Sequence, residues 1–153
     1  MTKSKLAALV ALALPTASFS QAPAVDYSIA QPASGSWSYV AVPGGSEARF
    51  TDSTATIRLT IHCTKANRRV MISHTSSAPA ASLNVWTSSA TRNLPARFEP
   101  QAMRVSADLA ATDPLLDAIS FSRGRFVVSM PGASALVVPA WPEPTRAIED
   151  CRI

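Results

Sequence analysis

Apolar and polar residues alternate over short stretches through most of the chain. The alternation is clearest at Ile57-Arg58-Leu59-Thr60-Ile61-His62-Cys63. A period of two puts Ile, Leu, Ile and Cys on one face of a strand and Arg, Thr and His on the other. Cys63 is therefore expected on the core side and His62 outside. Further runs at 37–42, 47–50, 69–73, 83–87 and 103–109 predict more strands. The last would show Met103, Val105, Ala107 and Leu109 to the core. Pro43-Gly44-Gly45 marks a hairpin turn, and 65–68 can turn the chain again. Residues 92–98 contain Pro95 and are expected at an edge or bulge, since proline cannot donate to a ladder. Residues 125–130 and 136–139 read as a hairpin around Pro131-Gly132.

The period lengthens twice. Asp113-Pro114 is an N-cap followed by proline at the first helical position, and Leu115, Leu116 and Ile119 form a stripe. That predicts a helix over 112–123, closed by Gly124 in the left-handed C′ position. Trp141-Pro142 opens a second helix over 142–151, with Pro144, Ala147, Ile148 and Cys151 on one side. About eight short strands and two short helices predict a mainly β fold, a β-sandwich or a strongly bent antiparallel sheet.

The first twenty residues read differently. Lys3 and Lys5 precede an apolar run from 6 to 14, then Pro15 and the small residues Thr16, Ala17, Ser18 and Ser20. This is the pattern of a secretory signal peptide over 1–20, cleaved near Ser20. The run is too short to span a bilayer, and no later stretch is long enough. The expected organisation is a signal peptide, a flexible arm over 21–35 and a single β-rich domain over 36–153, located in the periplasm or secreted.

Composition narrows the classes further. With 47% hydrophobic and 16% charged residues, the chain is neither a disordered tail nor a coiled coil. The formal charge of +4 includes Lys3 and Lys5. Without them it is about +2, and the arginines show no clustered basic face, so nucleic-acid binding is not expected.

Cys63 and Cys151 are the only cysteines. In an exported protein an even count favours a disulfide, and here it would tie the middle of the domain to its last helix. They lack CxxC spacing, and His62 and His74 complete no zinc pattern, so no metal or other cofactor is expected.

Several stretches carry a distant resemblance: Leu59-Thr60-Ile61-His62-Cys63, Val85-Trp86-Thr87-Ser88, Asp113-Pro114-Leu115-Leu116-Asp117-Ala118, Ser122-Arg123-Gly124-Arg125-Phe126 and Arg146-Ala147-Ile148-Glu149-Asp150-Cys151-Arg152. Their layout resembles small proteobacterial periplasmic proteins of unknown function. It is similar to the invasion-associated locus B family and to accessory proteins of type VI secretion. The resemblance implies a β-rich envelope protein acting through protein contacts, and it carries no catalytic residues with it.

Candidate chemistry is sparse. The motifs of serine hydrolases, zinc proteases, phosphate-binding loops and dinucleotide folds are absent. His62 is the best lone acid–base candidate, although a cross-strand hydrogen bond explains it as well. His74 stands at a strand end. Asp113 and Asp117 lie one helical turn apart, but a cap and an arginine pair account for them. Arg123 and Arg125 flank Gly124 and have the chemistry to hold a carboxylate or phosphate bidentately, although Arg123 compensating the helix C-terminus and Arg125 pointing out of the next strand accounts for them better. Arg146 is spaced to pair with Glu149 or Asp150. Trp86 should face away from Leu83 and Val85, free to anchor a partner or covered by the N-terminal arm or a loop. These features predict a non-enzymatic exported binding or accessory protein, with Arg123, Arg125 and Trp86 as binding candidates and an envelope protein or small ligand as partner. The alternatives are a small envelope hydrolase and a lysozyme-inhibitor-like protein, which would use the loop over 73–81.

Overall fold

A computed structural model describes residues 25–153. The expected signal peptide and the start of the arm lie outside them. The elements run β1 (Gly35–Val42), β2 (Gly45–Asp52), β3 (Ile57–Thr64), β4 (Arg69–Thr75), β5 (Ser82–Trp86), β6 (Thr91–Pro95), β7 (Arg97–Glu99) and β8 (Arg104–Ala110). Then come α1 (Pro114–Ser120), β9 (Arg125–Ser129), β10 (Leu136–Pro139) and α2 (Pro142–Asp150).

Two antiparallel sheets form. The larger has the order β1-β2-β3-β4-β8-β7, and the smaller β10-β9-β5-β6. The alternation seen in the sequence sets their faces. Leu59, Ile61 and Cys63 of β3 are fully buried, as are Val70 and Ile72 of β4 opposite them. At one end this inner face packs on the small sheet. Trp37 of β1 lies between Phe50 of β2 and Phe126 of β9, with ring centroids 5.5 and 6.0 Å away. At the other end it is covered by α2, which touches β1, β2, β3 and α1. Pro144, Ala147 and Ile148 are the buried residues of α2, the stripe expected from their spacing. Cys151 follows directly and forms the disulfide with Cys63, with their Cα atoms 5.5 Å apart. The fold is thus the mainly β, sandwich-like arrangement expected.

Four details differ from the expectations. First, ten strands are present among the described residues instead of about eight. Residues 92–98 divide at Ala96, where the chain leaves the small sheet as β6 and joins the large one as β7. The Ala96 amide donates to Ala81 O at 2.9 Å, linking two sheet-to-sheet crossings.

Second, Met103 does not belong to the β8 core face. It closes a 3₁₀ turn at Pro100–Ala102 with φ +47° and is exposed. Third, α1 stops at Ser120 with Phe121 as its cap, so Gly124 is not its C′ residue. Gly124 has φ +75° and makes the turn into β9 instead. Gly124 is left-handed as expected, but α1 ends four residues before it. Fourth, β4 continues two residues beyond 73, which places His74 on the inner face.

Candidate functional site

Trp86 lies on the outer face of the small sheet, paired with Val127, which pairs with Val137 in turn. Residues before β1 run over this row. The Tyr27 ring packs on Trp86 with centroids 5.9 Å apart. The Ala33 amide donates to Val137 O at 2.8 Å, and Arg125 Nη1 donates to Ala30 O. Val127 is only 1% exposed, although its neighbours Phe126 and Val128 are the ones facing the core. The described part of the arm is therefore fastened to the sheet, and Trp86 and Arg125 are the residues that hold it.

Arg123 and Arg125 are not brought together as a bidentate pair. Arg125 is turned to the arm, whereas Arg123 projects into solvent. Among the described residues Arg123 makes no ion pair or side-chain hydrogen bond. The other arginines are engaged with carboxylates, with main-chain carbonyls or, for Arg146, with the Tyr39 ring at 4.0 Å.

Beside Arg123 stands a residue that sequence reasoning missed. Phe121 is 79% exposed. Its signal was present, since it falls off the stripe formed by Leu115, Leu116 and Ile119, all of them buried. The backbone that carries both residues is fixed. Phe121 N donates to Asp117 O at 2.9 Å, Ser88 N to Ser122 Oγ at 3.0 Å, and Arg123 N to Ser88 Oγ at 2.9 Å. Ser122 Oγ donates to Arg125 O. An exposed aromatic ring and a free guanidinium thus sit two residues apart on a rim built from α1, the 87–90 turn and the start of β9.

The acid–base candidates are bound into the scaffold. His62 Nδ1 lies 3.0 Å from Glu47 Oε1, and the other oxygen of Glu47 accepts from Arg49 Nε at 2.6 Å. His74 Nδ1 donates to Thr75 O at 2.7 Å, while Nε2 is buried without a partner. Burial pushes the pKa of His74 below 6.5; the Thr75 bond opposes that shift and nearby Arg58 adds to it. Asp113 caps α1 by accepting from Leu115 N at 2.9 Å and pairs with Arg92 at 2.8 Å. The Arg92 bond is the main cause holding its carboxyl below the usual range. Asp117 pairs with Arg152 at 2.8 Å.

The pairs expected for Arg146 do not form. Tyr39 OH donates to Asp150, Arg152 pairs with Glu149 at 2.9 Å, and Arg146 lies over the Tyr39 ring instead. The loop for an inhibitor reading is shorter than expected, starting only at Ser76 once β4 ends.

Among the described residues no three His, Cys, Asp or Glu side chains are grouped to hold a metal ion. No helix there is long and apolar enough to cross a membrane. An open cleft of about 220 Å³ runs past Met71, Pro95 and Arg97 on the outer side of the large sheet. No protein-family model, curated protein or solved structure matches the chain.

Proposed function

We propose that the protein is a non-enzymatic binding protein, exported to the periplasm, that engages another envelope protein through the Phe121–Arg123 rim. The observation that carries this reading is the 79% exposure of Phe121 beside an arginine without a partner among the described residues. Aromatic residues and arginine are the types that dominate binding energy at protein interfaces. Holding them on a hydrogen-bonded turn reduces the ordering cost of association. Export is supported by the N-terminal pattern of Lys3, Lys5, the apolar run and the small residues after it, together with a disulfide suited to an oxidising compartment.

The test is a photo-crosslinking amino acid placed at position 121 in cells of the source organism. The expected result is one discrete adduct that disappears when Arg123→Glu is added and is absent with the crosslinker at Ser77. No adduct at 121, or one indifferent to Arg123→Glu, would remove the rim as the binding surface.

A further inference from the structure

The two sheets have four edge strands, and three of them are guarded against pairing. β7 is three residues long and carries Arg97 and Glu99. β6 carries Arg92 and Pro95. β10 is four residues long, ends in Pro139, and has the arm bonded to Val137. Short length, charge, proline and coverage are the usual means of keeping an edge from adding strands.

Among the described residues β1 has none of these. It runs for eight residues, GSWSYVAV, without a charge or a proline, and its register with β2 is unbroken from Gly35 to Val42. The two-residue Pro43-Gly44 loop makes Val42 and Gly45 a hydrogen-bonded pair. Alternation along an antiparallel ladder then turns the N–H and C=O groups of Ala41, Tyr39 and Trp37 to the open side.

We infer that β1 pairs with β1 of a second copy, antiparallel about a twofold axis at Tyr39, so that the two large sheets become one. A twofold interface requires an edge to complement itself. With Tyr39 on the axis, Trp37 meets the small Ala41 of the other copy on the inner side, and Ser38 meets Val40 on the outer side. No charged residue of β1 faces its like across the seam. The strands behind are complementary in charge across the seam, and Arg49 and Glu47 also pair with each other within each copy. Ser38 pairs with Arg49 and Val40 with Glu47 within each copy. Each outer row through Ser38 and Val40 therefore carries Arg49 on one side of the seam and Glu47 on the other.

The experiment is sedimentation velocity on the oxidised protein over a concentration series, with near-ultraviolet dichroism as the check on folding. The expected result is a species of twice the chain mass. Val40→Lys should convert it to monomer, since it sets two ammonium groups diagonally across the twofold axis and a charged edge resists adding a strand. Ala41→Pro should do the same by removing an outward N–H without touching the β1–β2 ladder, and it decides the matter if Val40→Lys does not fold. Phe121→Ser is the control that leaves the mass unchanged. A monomer up to about 1 mM would overturn the inference, as would a dimer that survives both β1 variants. So would a β1 edge that binds extended peptides but not its own copy.

Discussion

The indole Nε1 of Trp37 donates to the carbonyl oxygen of Pro139 at 2.8 Å, joining the edge strand of one sheet to the edge strand of the other. The bond is buried, so it has no water to replace it. Trp37→Phe keeps an aromatic ring against Phe50 and Phe126 but removes one of the two donors to that carbonyl, which Trp141 N still reaches at 3.1 Å, at an expected cost of about 0.5–1.5 kcal/mol. Trp37→Ala should cost about 3–5 kcal/mol, because a cavity is added. Urea unfolding of the two variants separates the terms, and a Phe variant as stable as the parent would show that the bond contributes nothing.

The disulfide closes a loop with a sequence separation of 88. In the loop-entropy account such a link stabilises the fold by roughly 4–5 kcal/mol. Replacing both cysteines by alanine should lower the unfolding midpoint accordingly, and reductant should have no further effect on that variant. Equal midpoints with and without the bond would mean that the unfolded chain is already compact.

His74 predicts a specific dependence on pH. Its folded pKa lies below 6.5, so the unfolded chain takes up the proton first as the solution is acidified. The stability tied to the neutral ring is fully present above pH 6.5 and is lost as pH falls towards the folded value. The parent should therefore lose stability below pH 6.5 faster than His74→Gln. Parallel pH profiles for the two proteins would assign the slope to other groups.

Ser73 and Ser106 face each other across β4 and β8 with hydroxyl oxygens 2.9 Å apart, and both residues are buried. Changing either one to alanine strands the other, at about 1–3 kcal/mol. The double variant should cost less than the sum of the singles, since it removes donor and acceptor together. An additive result in denaturant unfolding would show that water already satisfies each hydroxyl.

What was legible in the sequence was what depends on neighbours along the chain. Alternation at Leu59, Ile61 and Cys63 set the inner face of β3, and helical spacing put Cys151 beside Ala147 and Ile148. Those two placements met in the disulfide. Ile57 shares the pattern yet is exposed, because the β2–β3 register shifts at Phe50/Thr51 and the strand begins beyond the cover. Pro95 announced an interruption, but local sequence does not say that the chain changes sheets there. The site was less legible still. That Arg125 would reach Ala30, and Tyr27 would cover Trp86, depends on contacts across 95 residues or between separate segments. The solitude of Arg123 emerges only once the partners of every other arginine are known.

The position of the disulfide divides the molecule into two kinetic regimes. The covalent ring runs from Cys63, near the end of β3, to Cys151, just past α2, and the arm, β1, β2 and most of β3 lie outside it. Cross-linking restricts the unfolded conformations of the enclosed residues, whereas the β1–β2 hairpin keeps its full chain entropy. The hairpin can therefore peel away as a unit while the ring stays closed, and in oxidised protein dilute enough to be monomeric amide exchange should be faster along β1 than along β4 inside the ring. Breathing in this protein is thus concentrated at its amino-terminal hairpin, which the covalent ring leaves unrestrained.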